Sequence, residues 1–408
     1  MDDRKLYETI LGLSHPWRVS SVEVATGVQE VRVHLEFSEE ATLCCPECGK
    51  PSPGYDRSPE RAWRHLDTCQ YRTVLTARIP RVECEAHGVR QVRVAWAEDR
   101  SRFTALFEAM ALRLLRETTL SGLAELMNIS WEAAEGILDR AVERGLARRT
   151  EEALRVVGVD ETSFQKRHEY VTVVADLERE RVVWVGDERR RDTLKAFWDT
   201  MPPEARAEVE EVVLDMWEPY IMATLHALPD GASKIVIDRY HVAQLLNKAV
   251  DEVRRAEQAA LLETGDDRLK GTRYIWIKGP ARRRLSEELR IKRLARSGLK
   301  VGRAWAIKEA CRDLWTYASV GWAVRYFRSW YGWAIRSRLR PIQRVARTMK
   351  RYLPWILAYL RNHRTNALSE ALNSKIQEIK YRARGYRSRA NFRRAILFHC
   401  GALDMNPR

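Results

Sequence analysis

Five short runs rich in valine and isoleucine constrain this chain more than anything else in it: Val156 to Val159, Tyr170 to Asp176, Val182 to Gly186, Val212 to Leu214 and Ile235 to Ile237. Apolar, β-branched runs of this length bounded by turn residues are strand signals. The first three are joined by short turns and are expected antiparallel, whereas the last two are each reached through a helical pattern and are expected parallel. Helices are expected near Thr193 to Met201, Tyr220 to Leu228 and His241 to Leu262. Two of the strands end on an acid: Asp160 closes the first and Asp215 the fourth.

Around this α/β centre the pattern changes twice. Alternation in Val19 to Val24 and Val31 to Phe37, with Gly27 between them, reads as a β-hairpin leading into a cysteine region. From Phe103 the period becomes helical: Leu106, Met110, Leu114 and Leu115, then Leu120 to Met127, a break at Asn128 to Ser130, and Trp131 to Val142. That is a helix-turn-helix outline, with Ser130 capping the second helix, Ala133 and Ala134 small enough for close packing, and Ile137 and Leu138 facing inward. From about Asp267 to Arg361 the only strand-like run is Tyr274 to Ile277; the rest carries Trp, Arg and Leu at helical spacing and reads as a helical insertion. The sheet domain resumes with a helix over Asn366 to Ile379 that contains Glu370. The strand order is that of a ribonuclease-H-like sheet. The expected limits are 1–100 for a zinc-ribbon domain, 101–150 for the helix-turn-helix, 151–266 and 362–408 for the two parts of the sheet domain, and 267–361 for the insertion.

Cys45 and Cys48, followed by Cys84 and His87, form two knuckles of the C-x-x-C and C-x-x-H type. Four soft or borderline donors in two close pairs suit tetrahedral Zn²⁺ in a structural site, because no position is left open for chemistry. Gly49 and Gly88 follow the knuckles, where the backbone turns tightly around a metal. Cys44, His65 and Cys69 are nearby competitors, and His65 with Cys69 could itself be a pair.

Asp160, Asp215 and Glu370 are the candidates for a second metal centre. A carboxylate at the rim of a sheet is a natural ligand for Mg²⁺, which takes oxygen donors and keeps positions for phosphate and water. A single Asp after a strand is as often a turn or helix cap. Asp238, after the last strand, is a rival second carboxylate, and Glu161 is expected to point to the opposite side of its strand from Asp160.

Charge indicates the partner. Lys plus Arg number 71 against 56 for Asp plus Glu, a net +15, which fits a polyanion. Arginines gather with aromatics over Arg325 to Arg351 and Lys380 to Arg394. Arg382, Arg384, Arg387 and Arg389 are expected to line a DNA path beside Glu370, while Trp305, Trp315, Trp322, Trp330 and Trp333 are expected in the core of the insertion. No run of about 18 apolar residues is present and Met1 to Leu11 carries acids, so a cytoplasmic protein without a membrane partner is expected.

Taken together, Asp160-Glu161, the block Asp215-Met216-Trp217-Glu218-Pro219-Tyr220, the block Asp238-Arg239-Tyr240-His241 and the segment Thr365 to Ile376 resemble the ISL3 family of bacterial insertion-sequence transposases. The likeness spans nearly the whole chain, from the knuckles to the segment Arg384 to Arg393, though Cys44 and a His as last zinc donor depart from the pattern. It implies a ribonuclease-H-like fold with an all-helical insertion and a catalytic triad of Asp160, Asp215 and Glu370, with Asp238 and His241 in an accessory motif. It implies two Mg²⁺ ions roughly 3.5 to 4 Å apart, with Asp160 bridging them, for cleavage at double-stranded terminal inverted repeats and transfer of the freed 3′-hydroxyl to target DNA. Synapsis of two ends implies a homodimer or higher assembly. Two other readings compete: a zinc and helix-turn-helix regulator without catalysis, and a structure-selective nuclease on the same fold.

Overall fold

The computed structural model describes residues 2–150, 152–165, 169–362 and 367–407, and the side chains of 361–370 lie outside that description. The chain divides into two compact units, Met1–Thr150 with Leu403–Arg408, and Glu151–Ala402.

In the first unit α1 (Asp3–Leu11) precedes β1 (Trp17–Ala25) and β2 (Glu30–Phe37), which pair antiparallel. Val31, Val33, Leu35 and Phe37 of β2 are buried, every second residue, as one covered face of a strand demands. Five further strands follow: β3 (Gly54–Arg57), β4 (Arg61–Arg64), β5 (Arg72–Ala77), β6 (Pro80–Cys84) and β7 (Gly88–Gln91). One sheet runs β1-β2-β5-β4 and a smaller one β3-β6-β7. Three tryptophans lock the larger sheet's core edge-to-face, Trp96 lying 4.7 Å from Trp17 and 5.3 Å from Trp63 between ring centroids.

Three helices complete this unit: α2 (Ala105–Glu117), α3 (Leu120–Leu126) and α4 (Trp131–Ala147). Each begins at a hydroxyl that accepts a free backbone N–H, from Thr104, Thr119 and Ser130 in turn. Asn128 takes φ +50° in the turn between α3 and α4, a conformation Asn tolerates better than most residues. Ala134, Ile137 and Leu138 are buried as the helical period requires. Glu108 of α2 is buried and takes Arg140 at 2.5 Å and Arg144 at 3.0 Å from α4, so the charge on α2 is neutralised across the helix pair.

The second unit opens with β8 (Val156–Gln165), β9 (Glu169–Asp176) and β10 (Arg181–Asp187). Helices α5 (Arg191–Asp199) and α6 (Pro203–Ala207) lead to β11 (Glu211–Leu214), and α7 (Glu218–Ala227) and α8 (Gly231–Lys234) lead to β12 (Ile235–Ile237). The sheet order is β10-β9-β8-β11-β12, antiparallel within the first three strands and parallel from β8 through β11 to β12. The expected strand directions are therefore observed.

From α9 (Arg239–Leu262) the described chain is helical: α10 (Arg273–Ile277), α11 (Leu285–Arg296), α12 (Lys300–Cys311), α13 (Val320–Arg336), α14 (Arg340–Arg351) and α15 (Leu353–Asn362). Tyr274 to Ile277, the strand-like run, is helix. Among the described residues no strand pairs with it, and Trp276 buries completely in the core shared with the neighbouring helices, so tertiary burial overrides the β preference of its residues. One apolar core runs from Val212 and Leu214 of the sheet to Trp276, Trp330 and Ile342. Of the insertion tryptophans expected in the core, Trp330 is buried and Trp305 and Trp315 pack against it, but Trp322 and Trp333 are exposed. Finally α16 (Ala367–Arg382) and α17 (Arg389–Cys400) cover the other face of the sheet over Phe164, Val171, Val173 and Val182.

Candidate active site and a four-donor metal cluster

Strand register builds the acid site. Val213 of β11 pairs with Gly158 of β8 in parallel, so two residues further on Asp215 comes level with Asp160. Leu214 pairs with Ile237 of β12, which brings Asp238 level with Asp215 on its other side. Three acids thus follow one another across three neighbouring strands: Asp215 and Asp238 lie just past the ends of β11 and β12, but Asp160 lies inside β8, which does not close at the acid as expected and runs on to Gln165 because Glu161 to Ser163 stay paired with β9.

Each is tied down differently. Asp160 accepts the Glu161 N–H at 2.7 Å and the Asn373 amide of α16 at 2.5 Å. Burial pushes its carboxyl above the usual range, against the pull of that backbone bond, His241 and Asn373, and Asp215 adds repulsion. Asp215 accepts the Met216 N–H at 2.5 Å and lies 3.4 Å from both His241 Nδ1 and Arg189 Nη2. Asp238 caps α9 by accepting the Tyr240 N–H at 3.1 Å, and its Oδ2 is buried without a hydrogen-bond partner. It is a helix cap first.

Two residues join this group that the sequence did not single out. Arg189, just past β10, reaches Glu161 at 2.9 Å as well as Asp215, and its guanidinium lies 4.3 Å from the Trp217 ring centroid. Glu161, next to Asp160 where β8 pairs with β9 in regular register, is largely buried and is held to the acid group through Arg189. Burial pushes its carboxyl up to about 7 even though Arg189 draws it down. Asn373 is the other, and it sits inside the quoted motif.

Helix α16 docks on β8 with a stripe one and two turns apart: Asn373 on Asp160, Gln377 on Thr162 at 2.5 Å, and Lys380 on the Ser163 carbonyl at 2.6 Å. Glu370 stands in the first turn of α16, three residues before Asn373, and its side chain lies outside the described residues, as do Thr365 and Asn366 of the motif. The carboxylate oxygens of Asp160 and Asp215 are hard, anionic donors of the type Mg²⁺ takes.

The arginines at and after the end of α16 divide. Arg382, Arg384 and Arg387 are exposed. Arg389 is partly buried, pairing with Glu169 at 3.1 Å and lying 5.9 Å from the Phe164 ring centroid. Its charge is already engaged.

In the first unit, donor atoms of Cys45, Cys48, Cys84 and His87 all lie within 4.8 Å of one another. Cys84 ends β6, His87 sits in the turn to β7, and Cys45 and Cys48 come from the loop before β3, with Gly49 and Gly88 both at positive φ. The hydrogen bond with His87, 3.5 Å from Sγ to Nδ1, pulls the Cys84 thiol down to about 6. The competitors fall away: Cys44 stays outside the group, Cys69 is exposed, and His65 is buried against the Thr104 hydroxyl at 2.9 Å. Four soft donors at these separations fit a tetrahedral metal.

Comparison with known proteins gives matches to both regions of the chain. A family model described as a transposase, of the ISL3 DDE type, matches residues 157–396. The helix-turn-helix domain of transposase family ISL3 matches 92–142, and the zinc finger of transposases of the IS204, IS1001, IS1096 and IS1165 elements matches 42–87. The chain is 27% identical over 403 residues to the transposase for insertion sequence element IS1001 of Bordetella parapertussis, covering 96% of this chain and 97% of that one. It is 29% identical over 371 residues to the transposase for IS1557 of Mycobacterium tuberculosis, covering 84% and 82%.

Proposed function

Because the chain belongs to the ISL3 family of transposases, we propose that Asp160, Asp215 and Glu370 are its catalytic triad, on a ribonuclease-H-like sheet, for cleavage at the terminal inverted repeats of an insertion sequence and joining of the freed ends to target DNA. The chain is a DDE-type DNA-cutting and strand-transfer enzyme with a DNA-binding helix-turn-helix, and its cofactors are a structural zinc and a catalytic divalent metal. One observation carries the residue assignment: parallel register brings Asp215 level with Asp160, and the neighbour of Glu370 on α16, Asn373, touches Asp160. The sheet order β10-β9-β8-β11-β12 supports the fold reading.

Bound divalent cations supply Lewis-acid activation of the attacking oxygen and stabilise the leaving one. The chain's own residues prepare that chemistry. Asn373 and the Glu161 N–H fix the Asp160 carboxylate, the Met216 N–H and His241 fix Asp215, and Asp238 anchors the start of the helix that carries His241. Cys45, Cys48, Cys84 and His87 hold the zinc, and α4 with the zinc module reads the end sequence from the major groove while arginines grip phosphate. Arg382, Arg384 and Arg387 extend the DNA path after α16, with Arg389 held back by Glu169. The protein acts in the cytoplasm as a dimer or larger assembly, since two ends must meet; among the described residues no helix is long and apolar enough to cross a membrane.

A supercoiled plasmid carrying the element with its flanks tests the reading. With Mg²⁺, Asp160→Asn and Asp215→Asn each abolish nicking while end binding persists, and Asn373→Ala slows it about 10- to 100-fold. Nicking by either Asp variant at the wild-type rate would falsify the assignment, and absence of nicking by the wild type would favour the non-catalytic regulator.

A further inference from the structure

From Leu314 to Ser369, 56 residues, the sequence contains no Asp or Glu, yet it carries ten arginines and one lysine. Arg344 and Arg351 pair with Glu252 and Glu218 from elsewhere. Among the described residues, Arg325, Arg328, Arg336, Arg340 and Arg347 are exposed and meet no carboxylate. Unneutralised charge of one sign on adjacent helices α13 and α14 is the footprint of a polyanion.

Helix α13 adds something that charge alone does not explain. Its inner side is Ala323, Phe327, Trp330 and Ala334, all buried. Its outer side carries Trp322, 58% exposed, and Trp333, 40% exposed, eleven residues apart on one stripe and outside the apolar core. Arg325 and Arg336 repeat the same spacing beside them, and the Arg325 guanidinium lies 4.9 Å from the Trp322 ring centroid. Two exposed indoles three turns apart are separated by roughly 16 Å of helix, too far to sandwich one base and far enough to meet two.

We propose that this outer face of α13 binds an unpaired nucleic-acid strand, with Trp322 and Trp333 stacking on separate bases and Arg325, Arg328 and Arg336 holding the phosphates. Duplex DNA hides its base faces, so an exposed ring gains from stacking only where bases are unpaired. A protein partner would need some acid or a continuous apolar patch opposite, and this face is arginine interleaved with indole. The inference rests on the transposase reading only in taking DNA as the polyanion; it is independent of which acids hold the metal.

Fluorescence anisotropy without divalent metal, using a labelled oligothymidine strand and a mixed-sequence duplex, tests it on the full chain. Trp322→Ala with Trp333→Ala is expected to weaken strand binding about tenfold per indole and leave duplex binding unchanged. Both side chains lie outside the core, so the variant should melt as the wild type does, and the Phe pair should restore most of the strand affinity. Arg325→Glu with Arg328→Glu should flatten the salt dependence for the strand by about 1.4 in log–log slope, at roughly 0.7 per lost phosphate contact. Unchanged oligothymidine affinity in the double Ala variant overturns the proposal. So does loss of self-association, read by sedimentation, with strand affinity intact, which would make the face a contact between copies.

Discussion

Arg189 balances the acid group: one guanidinium spans Glu161 and Asp215 and rests on Trp217, in a site where carboxylates would otherwise repel at close quarters. It lies in the run Asp187-Glu188-Arg189-Arg190-Arg191-Asp192, whose alternating blocks of charge read as a solvated turn, so nothing local marks which arginine folds inward. A buried imidazole offers a cleaner single-residue test. Burial pulls His65 down to about 4 from 6.5, with Arg64 adding to the effect. Between those values the unfolded chain binds the proton and the folded chain does not, so this contribution is full above about 6.5 and is lost as pH falls through 4. His65→Gln should therefore show a shallower loss of stability than wild type over that window in urea melts, the difference amounting to about 3 kcal/mol at most. Parallel curves would mean that His65 is not held neutral.

Helices α11 and α12 show how element packing settles a substitution that propensity alone would misjudge. Gly302 lies within α12, and a Cβ there would come 2.7 Å from the Ala295 Cα of α11. Ala in place of Gly gains about 1 kcal/mol of helix propensity, but prising two backbones apart costs about 1–3 kcal/mol. Gly302→Ala is thus expected to lower the thermal midpoint, and a raised midpoint would show that α11 and α12 can separate freely. Elements were legible where one physical signal dominated. Val156 to Val159, which opens the longer β8, and Ile235 to Ile237 are rich in β-branched residues, and Ser130 caps α4 as its position before an apolar period requires. The misread run, Tyr274 to Ile277, has aromatic and branched residues too, but Trp276 is covered by helices rather than paired with a strand. Trp322 and Trp333 were misassigned to the core for a related reason: helical spacing shows that residues share a face, not whether anything covers that face.

At the level of the molecule, the two compact units differ in what holds them. The zinc module has an apolar nucleus of only Cys45, Val82 and Cys84, with Leu43 and Val92 against it, too small to support three short strands unaided. The second unit has a core continuous from the sheet through the insertion. Chelation of zinc is expected to lower and broaden the unfolding transition of the first unit in calorimetry while that of the second stays in place, and to abolish duplex-end binding. A first transition indifferent to chelator would mean that the four donors are not a structural site. Asp215 was readable as a strand end, Asp160 was not, since β8 runs on to Gln165, and neither was readable as the other's neighbour, because adjacency is set by register between segments some fifty residues apart, and no local pattern encodes it.

That register has a bearing on safety inside a cell. Asp215 comes level with Asp160 through three paired residues of β11 and β8. A slip by a single position would turn the two carboxyls to opposite sides of the pleat. If these two carboxyls act as proposed, graded misfolding is expected to yield no graded scissile activity: a nascent or damaged copy of the chain would stay inert until the sheet has locked.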